Sequence, residues 1–314
     1  MRAFAVTDFD QPGSVMTLPA PVAGEGEVLI RVRAASVNPF DSLVATGGTR
    51  AWAETRVPLV PGVDAAGVVA AVGLGAEAFQ VGDEVVANAG GKSYWGGGTF
   101  AELVTVAVGA VAHKPAGISF EVASAVPQTG LTALAAIDAL EPGPDQVIVV
   151  AGATGGVGSW FTQLAVRNGA TVVALARPEN ADYARDLGAS DVIDHTQPDM
   201  IDRLRALIPG GVDALADFSG SPELVAARSA VVRDGGRVSS SIGKAVQAVP
   251  EERGITATQG NMVDPARLPE LLEPLAAGRI KPPKITIVSL DEAGEVLAQA
   301  GQKQGVGKTV IRIA

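Results

Sequence analysis

The chain has 314 residues, 47% of them hydrophobic and 18% charged, with no cysteine and a formal net charge of −10. That length holds about two ordinary domains, and the missing thiols exclude disulfides, thiolate nucleophiles and thiolate metal sites. The negative charge, with no cluster of basic residues, argues against a nucleic-acid surface.

The N-terminal MRAFAVTDFDQPG meets Asp8 and Asp10 before a signal-peptide core can form. No apolar run reaches the roughly 18 residues that would span a bilayer. A cytoplasmic protein without membrane contact is expected. Through the first 120 residues, glycine and proline punctuate short strands such as GEVLIRVRAAS, AAGVVAAVG, GDEVVAN and AELVTV. This spacing predicts a mostly antiparallel, partly barrel-like domain without long helices.

From Val147 onward, strands alternate with helical patterns. The strands read as 147–150, 171–175, 191–193, 212–218 and 236–242; the helices as 157–168, 179–187, 200–207 and 222–233, the first two closed by Gly169 and Gly188. Strand-helix repeats with such apolar strands predict a doubly wound parallel sheet covered on both faces. GITATQGNM reads as a sixth strand at the sheet edge. A helix over 265–275, KITIVSL, a further helix and KTVIRI complete the chain, and these last strands are expected to rejoin the N-terminal domain. The expected organisation is a catalytic domain of residues 1–120 and 263–314, with a nucleotide-binding domain of residues 121–262 inserted in it.

Between the first strand and first helix of the α/β repeat lies AGATGGVG, residues 151–158. Such a turn aims backbone N–H groups and the helix dipole at a pyrophosphate, so Ala153, Thr154, Gly155, Gly156, Val157 and Gly158 are candidate cofactor contacts. Gly155 lets the phosphates approach, Gly156 relieves the turn, and Gly158 lets the helix pack on the sheet. An acidic residue normally follows the second strand and grips a ribose 2′-OH. Here TVVALARPEN places Arg177 there, whose planar fork of donors suits a 2′-phosphate. The cofactor is therefore expected to be NADPH, with Asn180 and His195 assisting.

These segments, with AASVNPFDSLVATG (34–47), PLVPGVDAAGVVAAVGLGAEAFQVGDEVVA (58–87), GGTFAELVTV (97–106), AVPQTGLTAL (125–134), LGASDVID (187–194) and GVGKTVIRI (305–313), identify a family. The chain resembles the zinc-independent, zeta-crystallin-like quinone oxidoreductases of the medium-chain dehydrogenase/reductase superfamily. The resemblance implies a Rossmann domain inserted in a GroES-like, mostly antiparallel β catalytic domain. Where zinc-dependent relatives carry a Cys, a His and a Glu, this chain has Asn38, Val63 and Asp64, and its histidines are His113 and His195 alone. No metal is therefore expected.

The resemblance also implies roles. Asn38 would lie near the nicotinamide and the substrate oxygen, and Asp41 would organise its loop. Many relatives carry a Tyr where this chain has Leu43, which leaves Ser42, Tyr94 or solvent as proton donor. Tyr94 and Trp95 would line a substrate pocket or cap a barrel end. Thr129 and Thr132 match positions beside the nicotinamide. Phe218, Ser219 and Gly220, with Ile242 and Gly243, match ribose and carboxamide contacts. Lys308 matches a basic residue that often reaches the cofactor, or is a solvated charge. The implied reaction is hydride transfer from NADPH to a quinone, with an enal or enone reductase, or an NADPH-binding protein of little turnover, as alternatives. The resemblance further implies a homodimer joined through the sixth strand, which size-exclusion chromatography with light scattering tests.

Overall fold

A computed structural model describes residues 1–51, 55–90, 92, 96–241, 244–260, 263–302 and 305–313. The chain divides into two compact units, residues 1–128 with 264–314, and residues 129–263.

The first unit opens with a two-stranded ribbon, β1 (Arg2–Ala5) and β2 (Ser14–Thr17). There follow β3 (Glu27–Ser36), α1 (Pro39–Ala45), β4 (Asp64–Val72), β5 (Glu84–Asn88), β6 (Leu103–Ala107), β7 (Val111–His113) and α2 (Phe120–Ser124). The helix α3 (Pro127–Leu140) leads into the second unit. That unit carries β8 (Val147–Ala151), α4 (Gly156–Arg167), β9 (Thr171–Leu175), α5 (Ala181–Asp186), β10 (Asp191–Ile193), α6 (Met200–Leu207), β11 (Val212–Asp217), α7 (Pro222–Ser229), β12 (Val232–Ser240) and β13 (Thr256–Gln259). The chain then returns to the first unit with α8 (Pro269–Ala276), β14 (Ile285–Ser289), α9 (Ala293–Gly301) and β15 (Lys308–Arg312).

In the second unit every strand pairing is parallel, in the order β10-β9-β8-β11-β12-β13. This is the doubly wound order, in which the chain reverses direction beside β8 and leaves a crevice beyond the carboxyl ends of the strands. The apolar runs VIVVA and TVVAL are buried over almost their whole length because helices cover both faces. In the first unit, β14-β15-β3-β4-β5-β7 form one sheet, with β6 also on β3. All its pairings are antiparallel except β14 with β15. The C-terminal β15 lies against β3, with Val310 opposite Ser36, and the core beneath gathers Phe4, Val28, Ile30, Val32, Phe100 and Ile311. No described helix is long and apolar enough to cross a membrane.

Three helices differ by more than one residue from the sequence expectation, and the strand expected over 236–242 begins at Val232. The helix expected over 222–233 ends at Ser229, because the β-branched Val232 joins β12 opposite Val212, and a register shift near Gly235 (φ +70°) absorbs the extra residues. The helix expected over 179–187 opens instead with a 3-10 turn, Pro178–Asn180. The helix expected over 265–275 is a 3-10 turn, Pro265–Arg267, followed by α8, because Pro269 lacks the N–H that would continue the first turn and restarts the helix.

Candidate active site

The glycine turn leaves β8 at Ala151 and enters α4 at Gly156, with Gly155 as the N-cap. Gly152, at φ +75°, makes the reversal. Gly156, expected from the sequence to relieve the turn, is instead the first helical residue; two adjacent glycines and a third upstream are indistinguishable by composition. Gly155 brings no capping side chain, and the first turn holds no acidic residue. The N–H groups of Gly156, Val157 and Gly158 are thus available to an anion at the positive end of the helix. A Cβ on Gly158 would overlap the Gly152 carbonyl oxygen and lie 2.7 Å from Ala153 Cα. Only glycine at 158 lets α4 pack this closely on the turn, and the open N–H groups at the helix start fit a dinucleotide pyrophosphate.

At the next strand ends, Ala176 N–H donates to the Ile193 carbonyl at 3.1 Å, holding the termini of β9 and β10 side by side. Arg177 and His195 each stand just beyond that bond, Arg177 exposed and His195 half-buried. Burial, then the positive charges of Arg228 and Arg177, push the His195 pKa down. Asn180 closes the 3-10 turn and precedes α5. A cavity of about 440 Å³ lies beside these ends, lined among others by Ala176, Pro178, Val192, Asp194 and Arg203.

Beyond β11, the Ser219 and Gly220 N–H groups donate to Asp217 Oδ1 at 3.0 and 2.7 Å, while Arg228 Nη1 donates to Oδ2 at 2.8 Å. This buried pair, which no local sequence pattern announces, sets the backbone of Phe218, Ser219 and Gly220. Phe218 also packs its ring 5.4 Å from that of Phe161. Thr129 and Thr132 lie on α3, nearly buried. Ile242 and Gly243 fall outside the described residues, as do Tyr94 and Trp95.

The first unit holds a second polar cluster, assembled from five distant segments. Asp64, on β4, is fully buried. Its Oδ2 accepts from Ser36 Oγ (2.8 Å) and Asn38 Nδ2 (2.9 Å), and its Oδ1 from Asn88 Nδ2 (3.1 Å) and the Gln128 N–H (2.9 Å). Asp64 occupies the segment where zinc-dependent relatives carry ligands, and here four donors saturate it. Lys308 is only 6% exposed, and its Nζ donates to the Val37 carbonyl at 2.6 Å and to Asn38 Oδ1 at 2.7 Å. A solvated Lys308 is thereby ruled out. Asp41 accepts the Asn38 N–H at 2.7 Å through Oδ2, and its buried Oδ1 has no hydrogen-bond partner among the described residues. Ser42 lies against Gly301 of α9, where an added Cβ would come 2.7 Å from Ser42 Oγ, and Leu43 is 38% exposed. His113 packs on Phe79 at the end of β7.

Burial and the neighbouring Asp64 carboxylate push the Asp41 carboxyl up from 3.8 to about 7. The folded chain therefore keeps a proton there that the unfolded chain has lost between pH 3.8 and about 7. This group weakens folding progressively as pH rises through that window, by a few kcal/mol in all, on the order of 1.4 kcal/mol per unit. Asp41→Asn, whose amide oxygen can still accept the Asn38 N–H, is expected to melt several degrees above the parent at pH 8. The gap should narrow toward pH 4; a gap independent of pH contradicts the assignment.

Comparison with known proteins agrees with this architecture. Residues 24–116 match the alcohol dehydrogenase GroES-like domain and residues 156–257 the domain described as zinc-binding dehydrogenase. The chain is 31% identical to the NADPH-dependent alkenal/one oxidoreductase, chloroplastic, of Arabidopsis thaliana over 290 residues, 90% of this chain and 71% of that protein. It is 35% identical to the chloroplastic quinone-oxidoreductase QR1 of Triphysaria versicolor over 188 residues, 58% of this chain, and spans only 56% of that relative's length. Among solved structures, the quinone oxidoreductase from Coxiella burnetii superposes with a TM-score of 0.89 at 25% identity, covering 100% of this chain and 99% of that one. An NAD-dependent alcohol dehydrogenase superposes with a TM-score of 0.90 at 29% identity, covering both chains fully. The chain belongs to the quinone oxidoreductase family of the medium-chain dehydrogenase/reductase superfamily.

Proposed function

We propose that the protein is an NADPH-dependent reductase that delivers hydride to a carbon conjugated with a carbonyl, in a quinone or, as the second reading, an enal or enone. The observation that carries the cofactor choice is Arg177, placed just beyond β9 where an acid would otherwise select the 2′-OH, with no ion pair to a described residue. The alkenal/one oxidoreductase named as NADPH-dependent supports it. The similarity to an NAD-dependent structure makes it a matter for direct test.

In this reading the α4 N-terminus holds the pyrophosphate, Arg177 with Asn180 and His195 holds the 2′-phosphate, and the Phe218–Gly220 backbone contacts the ribose side. The bound cofactor supplies the hydride. Asn38 lies near the carbonyl oxygen of the acceptor and orients it. The proton that completes the reaction comes from Ser42, Tyr94 or solvent, since Leu43 offers none.

Arg177→Ala is expected to weaken NADPH binding about 10- to 100-fold, with NADH changing less than about threefold. Calorimetric titration of both cofactors checks this, and equal losses for the two overturn the NADPH assignment. Loss of NADPH absorbance with a panel of quinones and enones then separates the acceptors. Turnover confined to enones removes the quinone reading. Binding with no turnover across the panel favours the third reading, a nucleotide-binding protein, for which Leu43 is the one supporting feature.

A further inference from the structure

We propose that Arg203 is a second specificity-determining residue of the nucleotide site: it and Arg177 frame the cavity at the ends of β9 and β10 as a seat for the cofactor's 2′-phosphate. The inference rests on the NADPH reading above and extends it to a residue on a different element.

The partners of the arginines carry it. In the second unit Arg185, Arg205, Arg228, Arg233, Arg237 and Arg253 each form an ion pair with an Asp or Glu, and Arg167 is engaged as well. Of that unit's arginines, only Arg177 and Arg203 have neither an ion pair nor a side-chain hydrogen bond among the described residues. In a chain of net charge −10, where acidic partners are plentiful, two idle guanidiniums need a reason.

Both belong to one place. The cavity of about 440 Å³ is lined by Ala176 and Pro178, the residues on either side of Arg177, and by Arg203 itself, with Val192, Asp194 and Asp199. Leu204 packs in the core cluster that includes Leu175 and Ile193, the last residues of β9 and β10. One residue along a helix is a rotation of about 100°, which turns Arg203 out of that core and onto the cavity wall, where it is exposed. Asp199 stands one helical turn before Arg203, a spacing at which opposite charges can pair, yet that pair is not made; Arg205, by contrast, takes Asp202 at 3.6 Å. Asp194 is already occupied. Its Oδ1 accepts from the N–H and Oγ1 of Thr196 at 2.9 and 2.8 Å, and its Oδ2 from Gln197 Nε2 at 2.9 Å.

The charge balance asks for the second arginine. A phosphate monoester carries about −1.5 to −2 near pH 7, and Arg177 answers only one of those charges. Asn180 is neutral. Burial, followed by the charges of Arg228 and Arg177, pushes the His195 pKa down and leaves its imidazole neutral at that pH. Arg228 spends its own charge on the buried Asp217. Arg203 is the remaining cation on the cavity wall, and a second planar fork reaches phosphate oxygens that one guanidinium leaves open. NADH, with a hydroxyl in that place, gains little from it.

The test is calorimetric titration of Arg203→Gln with NADPH, NADH, adenosine 2′,5′-bisphosphate and AMP. Because Arg203 is exposed and unpaired, the melting temperature of the unliganded protein should move by less than about two degrees. Affinity for NADPH and for the bisphosphate should fall about 5- to 30-fold, with NADH and AMP changed less than about twofold. Arg203→Lys should keep part of the affinity and Arg203→Glu should lose more than Arg203→Gln. Asp199→Asn removes a carboxylate from the same wall and should tighten NADPH about two- to threefold while leaving NADH alone. Equal losses for NADPH and NADH, or no loss for either, overturn the inference. So does a melting temperature lowered by several degrees, which would make Arg203 a structural residue. The NADPH reading fails separately: a parent that prefers NADH, or an Arg177→Ala variant that loses both cofactors equally, sinks it. A selective Arg177→Ala beside an unselective Arg203→Gln removes Arg203 alone.

Discussion

Gly158→Ala is expected to abolish measurable protection by NADPH in a thermal melt and to lower the melting temperature of the unliganded protein by several degrees. The added Cβ meets the Gly152 carbonyl oxygen and Ala153 Cα, both backbone atoms that no rotamer change can move. Gly152 cannot yield by a small rotation either, because its φ of +75° already makes the reversal out of β8. The first turn of α4 must therefore shift away from the sheet, carrying with it the N–H groups proposed to hold the pyrophosphate. Overpacking of this kind costs about 1–3 kcal/mol of stability, and dinucleotide affinity should fall more than about 100-fold, since a misplaced helix terminus loses several of its hydrogen bonds together. Gly155→Ala is the control for the melting temperature of the unliganded protein alone, since a Cβ there can itself stand in the way of the phosphates. Its Cβ would meet only the Gly152 oxygen, at 3.3 Å, and its φ of −80° suits any residue. Equal falls in melting temperature for the two unliganded variants would show that the turn needs glycine for flexibility rather than for space.

What could be read from the sequence divides along physical lines. The doubly wound unit is legible because each of its signals is local: β-branched runs for β8 and β9, a glycine closing α4, an arginine just past β9. Where two local signals compete, the reading slips. Pro222 to Arg233 carries a helical pattern, yet Val232 finds a partner on β11 that no short window reveals. The buried cluster of the first unit was not legible as a cluster. The Ser36–Asn38 segment, Asp64, Asn88 and Lys308 lie far apart in the chain and meet only because β15 pairs with β3, β3 with β4, and β4 with β5. In VGKT, Lys308 reads as a solvated charge or a cofactor contact, and nothing in the motif says that its neighbours are carboxylates and an amide. Asp217 was hidden differently, as one polar residue at the end of an apolar strand. The signal available was its place before Ser219 and Gly220, where a carboxylate can accept two successive backbone N–H groups.

Arg228→Met is expected to destabilise the protein by about 3–5 kcal/mol in urea unfolding, the usual consequence of leaving a buried carboxylate without its partner. Asp217 is fully buried and Arg228 is 7% exposed at the side chain. Asp217→Asn in the Arg228→Met background should restore part of the loss. The division of labour between the two carboxylate oxygens gives the reason: Oδ1 takes both backbone N–H groups and Oδ2 takes the arginine. An asparagine amide can keep the first pair of bonds while removing the charge that the second had balanced. A double variant no more stable than Arg228→Met would mean that the arginine acts by packing between α7 and β11 rather than by charge. The same substitution removes the larger of the two positive charges that hold the His195 pKa down. Its imidazole titration, followed by NMR, should therefore move toward higher pH in Arg228→Met. A shift there with the fold intact would link the buried ion pair behind the Phe218–Gly220 backbone to the charge of the residue proposed to assist Arg177.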